Sequence, residues 1–185
     1  MSHPDAEALF RRALKLSCRS SGEGNEPQAW RCLLEALQIE PDHLEALTLA
    51  GDLALLEWDD IDCPEIRDAK TGCAIALSYY ERALAIEPRH ADPWAGKALA
   101  LVWLGRFEEA LAAAEKGLEV LPLRLGDLES PEVYQNVAES LYSDRAQALR
   151  GLGRWDEALA TLDEGLRLYP DSRLLRGYRP EMVRN

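Results

Sequence analysis

Four times along this chain of 185 residues an alanine is followed seven residues later by Ala or Gly, and five residues after that by a proline. The sets are Ala29, Ala36, Pro41; Ala76, Ala83, Pro88; Ala110, Gly117, Pro122; and Ala158, Gly165, Pro170. The prolines stand 47, 34 and 48 residues apart, so a 34-residue unit recurs, twice lengthened by 13 or 14 residues. A run of near identity joins the last two units, from Leu104-Gly105-Arg106-Phe107 through Ala112 against Leu152-Gly153-Arg154-Trp155 through Ala160. Self-similarity at this period is the mark of a solenoid, which offers a surface that holds something rather than a pocket that converts it.

The spacing has a physical reading. Residues seven apart are two helical turns apart and share a face. Small residues on that face let a neighbouring helix come close, while Trp94, Leu101 and Tyr80 fill the space beside them. Each proline ends its helix, because it lacks an amide donor and disfavours helix in the residue before it. Gly105 and Gly153 fall where a helix stops. Asp92-Pro93 and Ser130-Pro131 read as a capping side chain ahead of a first-turn proline.

The third unit carries Trp94, Ala98, Leu101, Ala110, Ala114, Gly117 and Pro122 without a gap, and the fourth carries Tyr142, Ala146, Leu149, Ala158, Leu162, Gly165 and Pro170. The second reads Leu47, Gly51, Ala54 and then, past an insertion, Ala76, Tyr80, Ala83, Pro88; the first keeps Ala29, Leu33, Ala36 and Pro41 on its second helix. Over roughly residues 5 to 170 the chain resembles the tetratricopeptide repeat (TPR) family. The resemblance implies an all-α fold: a right-handed α-solenoid of about four TPR helix hairpins in a single domain, 1–185. The approximate repeats are 5–41, 44–88, 91–122 and 131–170, with a C-terminal capping segment over 171–185.

Periodicity predicts helices over 4–19, 27–39, 43–57, 92–104, 106–120, 131–150 and 154–168. Residues 20–25 read as a loop. Ile66, Ala69, Cys73, Ala76, Leu77 and Tyr80 keep a helical period, which predicts a helix lengthened back to Pro64, with Gly72 as its weak point. Leu174, Leu175 and Tyr178 are expected to cover the exposed end of the last pair, as a solenoid requires.

Composition narrows the function. Thirty-three acidic against twenty-one basic residues give a formal charge of −12, which disfavours nucleic acid and attracts basic partners. The arginines and lysine at 11, 12, 15 and 19, and the arginines at 173, 176, 179 and 184, read as solvated chain ends. No window is long and apolar enough to span a bilayer, and the N-terminus lacks a signal pattern, so a cytoplasmic setting without membrane contact is expected. The cysteines at 18, 32, 63 and 73 have no metal-binding or redox spacing and read as small buried thiols. Asp59, Asp60 and Asp62 lack the glycine and spacing of a calcium loop. No catalytic motif occurs, so the chain is read as a non-enzyme with no metal or cofactor.

The resemblance also implies a concave face lined by the first helix of each pair, with a ligand-facing stripe apart from the packing stripe. On this chain the stripe is Glu45, Thr48, Asp52 and Leu55-Leu56; Asp92, Ala95, Leu99 and Val102-Trp103; and Ser140, Ser143, Asp144, Gln147 and Arg150. Helix 92–104 is apolar on its packing side and on its groove side, so it is buried all round or meets a partner. The expectation is an apolar centre at Leu99, Val102 and Trp103 with acidic flanks at Glu45, Asp52, Asp92 and Asp144, suited to a peptide with an apolar anchor and basic neighbours. Trp103 packed against a neighbouring helix is the competing reading. At positions where one TPR subclass grips a chaperone C-terminus with Lys, Asn and Arg, this chain has Leu49, Asp52, Asp92 and Gly96, which cannot donate in that way. Function therefore reads as a protein- or peptide-binding scaffold, adaptor or co-chaperone-like assembly factor, with homodimerisation as the alternative.

Overall fold

All eight alanine and glycine positions of the repeat are buried in the computed structural model, which describes residues 3–17, 25–55, 68–121 and 131–179. Every described element is a helix. Residues 1–88 form one compact unit and residues 89–185 a second. The first contains α1 (Pro4–Ser17), α2 (Glu26–Ile39), α3 (Leu44–Ala54) and α4 (Ala69–Ile86). The second contains α5 (Ala91–Trp103), α6 (Phe107–Val120), α7 (Pro131–Gly151), α8 (Trp155–Leu168) and the short α9 (Arg173–Tyr178). Within each unit consecutive helices pair, α1 with α2, α3 with α4, α5 with α6 and α7 with α8. Neighbouring pairs then stack, α2 on α3 in the first unit and α6 and α5 on α7 in the second. The architecture is thus all-α, of the helix-hairpin solenoid class.

The Ala/Gly-to-proline spacing closes the second helix of each pair. The residue before each proline donates its N–H to the carbonyl of the second small residue: Glu40 to Ala36 at 2.8 Å, Glu87 to Ala83 at 3.0 Å, Leu121 to Gly117 at 3.2 Å and Tyr169 to Gly165 at 2.8 Å. These four residues have left helical geometry, with ψ of 88°, 88°, 138° and 70°. Sterics demand this of a residue that precedes proline.

The near-identical run makes the same turn twice. Gly105 and Gly153 adopt φ of 71° and 75°, a left-handed conformation that costs glycine little. Arg106 N–H reaches back to Leu101 O and Arg154 N–H to Leu149 O, both at 2.9 Å, closing matching C-terminal caps. Each arginine then begins the next helix and clasps the glutamate three residues on with two bonds. Arg106 holds Glu109 at 2.7 and 2.6 Å, and Arg154 holds Glu157 at the same two distances.

Packing is closest where a glycine meets a large side chain. A methyl at Gly51 would lie 2.5 Å from the ring of Tyr80, and one at Gly117 2.5 Å from Leu141 and 3.1 Å from Trp94. In the second unit Tyr142, Ala146, Leu149, Ala158, Leu162 and Leu175 form one buried core. Leu175 brings α9 into it, and Ser172 fixes α9 by accepting from Leu175 N–H at 3.2 Å and donating to Glu139 Oε2 of α7 at 2.7 Å.

The structure revises four expectations. Asp68 is extended and caps Thr71 N–H at 2.8 Å, so α4 starts at Ala69 rather than running unbroken from Pro64. The first helix of the second pair closes at Ala54, where Leu55 bonds Asp52 O, and positions 56 and 57 of the expected helix lie outside the described residues. His90, not Asp92, occupies the cap position of α5, which places Asp92 inside the first turn and Pro93 one residue further in. Leu174 is 39 % exposed, leaving the cover of the last pair to Leu175, with Tyr178 packed against that core. The loop at 20–24, the acidic triplet at 59–62, Ser130, Cys18 and Cys63 lie outside the described residues.

Gly51→Ala is expected to destabilise the first unit by about 1–3 kcal/mol, since a rigid, fully buried ring blocks the new methyl. Urea denaturation followed by helical circular dichroism measures it, and native helix content should be unchanged.

Candidate functional site

On α3 the positions 45, 48 and 52 recur at three- and four-residue steps and so share one helix face. Each side chain there also serves the fold. Glu45 is exposed in the first turn, its Oε2 3.3 Å from His43 Nδ1. The Thr48 hydroxyl donates to Leu44 O at 3.0 Å. Asp52 Oδ1 accepts from the Tyr80 hydroxyl at 2.7 Å, satisfying a side chain that is otherwise entirely buried. Burial first, and then the Asp52 charge, push the Tyr80 phenol well above its ordinary pKa, so it stays a donor.

In the second unit Leu99 and Val102 are half-buried on α5 and Trp103 is 51 % exposed. Packing against neighbouring helices therefore does not account for the whole indole. The matching position of the last pair, two residues before the turn glycine, is Gly151, where a methyl would lie 2.5 Å from the ring of Phe107. The repeat position thus makes no general demand for a large apolar residue. At the other end of α5, Asp92 is half-buried; burial raises its pKa and the nearby His90 partly offsets that.

On α7 Gln147 and Arg150 are half-buried, but Asp144 departs from its expected role as a charged flank. It is 3 % exposed, and burial alone raises its pKa to about 8, so it is neutral at pH 7. Gln147 Nε2 donates to its Oδ1 at a long 3.4 Å and to Ser143 Oγ at 3.2 Å, while Asp144 Oδ2 has no hydrogen-bond partner. The sequence carried a partial signal for this: Leu141, Tyr142, Ala146, Ala148 and Leu149 lie within five residues of it on the same helix.

Sequence reasoning missed His43. It follows the repeat proline by two residues and begins α3, accepting from Ala46 N–H at 3.4 Å through Nδ1. Its Nε2 faces Glu7 Oε2 at 3.3 Å, and its ring packs 5.1 Å from Phe10, so one buried imidazole ties α1 to α3. Charge is also divided unevenly. Residues 1–88 hold seventeen acidic and eight basic side chains, against sixteen and thirteen in residues 89–185.

Buried small-residue pairs, proline-closed helices and in-order hairpin pairing define a TPR-type helical repeat protein. Solved structures of the same fold agree. PilF of Pseudomonas aeruginosa superposes with a TM-score of 0.68 at 16 % identity, over 96 % of this chain and 67 % of that one. A MamA double mutant from RS-1 gives 0.66 at 15 %, over 98 % and 85 %. A tetratricopeptide repeat protein from Parabacteroides merdae gives 0.50 at 17 %, over 97 % and 73 %. At these identities the likeness is one of fold.

The chain belongs to the family described as Domain of Unknown Function (DUF3856), whose profile matches residues 66–169. It is 47 % identical over 45 residues to the uncharacterized protein MJ0572 of Methanocaldococcus jannaschii, which covers 24 % of this chain and 52 % of that protein. The chain thus spans about half the length of that curated relative. No helix among the described residues is long and apolar enough to cross a membrane.

Asp52→Ala is expected to cost about 1–3 kcal/mol by stranding the buried Tyr80 hydroxyl, and Tyr80→Phe about 1 kcal/mol. Urea denaturation of both variants and the double variant should show that the two losses do not add.

Proposed function

We propose that this chain is a protein- or peptide-binding scaffold, an adaptor or co-chaperone-like assembly factor of the cytoplasm, with no chemistry of its own. It holds its partner on the ligand-facing stripes of the first helices of its pairs. The observation that carries this reading is the half-exposed indole of Trp103 beside Leu99 and Val102 on α5. Aromatic anchors of this kind dominate binding energy in protein interfaces. Asp92, Gln147 and Arg150 supply the polar rim in the second unit. Glu45, Thr48 and Asp52 line the first, where acidic side chains outnumber basic ones about two to one. The partner that fits is a peptide with an apolar side chain flanked by lysine or arginine, free of nucleic acid and membrane.

Self-association is the second reading, favoured by Leu168 at 50 % and Leu174 at 39 % exposure near the C-terminal helix.

Fluorescence anisotropy with short peptides pairing Leu or Phe with Lys or Arg, and with acidic counterparts, tests the scaffold reading. Basic peptides should bind and weaken as salt rises, because exposed charges are screened over about 10 Å at 0.1 M. Trp103→Ala should abolish that binding while leaving the melting temperature unchanged. A large fall in melting temperature would instead make Trp103 a packing residue, and a concentration series in light scattering separates out self-association.

A further inference from the structure

Asp144 lies on α7, the helix against which α5, α6, α8 and α9 all pack. Ser143, next to it, is equally buried. Its side chain has one long hydrogen bond from Gln147 and one carboxyl oxygen with none. A buried polar group without a partner is costly, and an unpaired buried carboxylate far more so. The arginine beside it in sequence does not relieve it. Arg145 lies instead between Glu115 of α6 and Glu164 of α8, at 3.8 and 3.7 Å.

We propose that Asp144 is a proton-operated latch: neutral, it lets α7 close against the helices packed on it, and ionised, it loosens α7 and opens the inward strip bearing Ser143 and Gln147. The latch is a property of the second unit alone and holds whether or not the scaffold binds a peptide.

The direction follows from linkage. The folded carboxyl keeps its proton up to about pH 8, whereas an unfolded aspartate loses it near pH 4. Across that window the folded unit binds more protons than the unfolded chain, so stability falls as pH rises and levels off above about 8. Charged groups on the packed helices do not set this behaviour. Asp92 and Lys97 on α5, Glu115 and Lys116 on α6, Glu164 and Arg167 on α8, and Arg173 and Arg176 on α9 make no contribution to the shift, whose whole cause is burial.

Carboxyl carbon NMR of the full chain gives the test, combined with amide exchange at pH 6 and 9 corrected for intrinsic rates. The Asp144 signal should titrate near pH 8. At pH 9 exchange in α7 should quicken by about a hundredfold while α1 and α2 keep their rates, each of the two pH units below about 8 being worth a factor of ten. Asp144→Asn should hold α7 at its pH 6 rate in both conditions and flatten the decline in melting temperature between them. Titration of Asp144 near pH 4 would overturn the latch, and so would an equal pH response in wild type and Asp144→Asn. Should the variant not fold, the wild-type titration and exchange decide alone.

Discussion

Helices in this protein approach one another through alanine and glycine, and the rest of its organisation depends on that contact. A helix whose contact face carries only small side chains sits close to its neighbour, and large residues such as Tyr80, Trp94 and Leu141 then fit beside the small ones instead of holding the helices apart. The cost of closeness is low tolerance: where the ring of Tyr80 lies 2.5 Å from a would-be methyl on Gly51, no volume is left to add. Ala36, Ala83, Gly117 and Gly165 carry a second duty. Their carbonyls receive the final amide of the helix, so close packing and helix length are fixed by one position of the repeat.

The hairpins were readable because their signals are local and redundant. Ala29 and Ala36, or Ala158 and Gly165, report a buried face by spacing alone, and the prolines report the ends. Boundaries outside that pattern were not so readable. Asp68 ends the backward reach of α4 through an extended conformation that helical periodicity does not encode. Asp92 looked like a cap because a proline follows it, yet the histidine two positions before Asp92 begins the helix.

The site was legible to a lesser degree. Helix spacing puts Glu45, Thr48 and Asp52 on one face of α3, but it did not reveal that the Asp52 carboxylate is held by Tyr80, a residue 28 positions away. Asp144 exposes the limit most clearly. Counting formal charge makes it an anion, while its surroundings make it a neutral acid, and only packing among several helices decides between the two. The partition of character is likewise tertiary. The acidic excess belongs mainly to residues 1–88 and the exposed indole to residues 89–185, so charge and exposed aromatic surface fall in different parts of the chain.

The paired elbows at Gly105 and Gly153 have a consequence for how such a chain grows. Each is a self-contained joint: a left-handed glycine, a five-residue back-bond and an arginine that grips its own helix. Nothing in the joint refers to its place in the sequence. A gene segment bounded by two such joints carries its own folding instructions at both edges, so duplication or loss of a hairpin leaves the surviving turns intact. Length in this architecture is therefore an evolvable quantity, adjusted by whole hairpins.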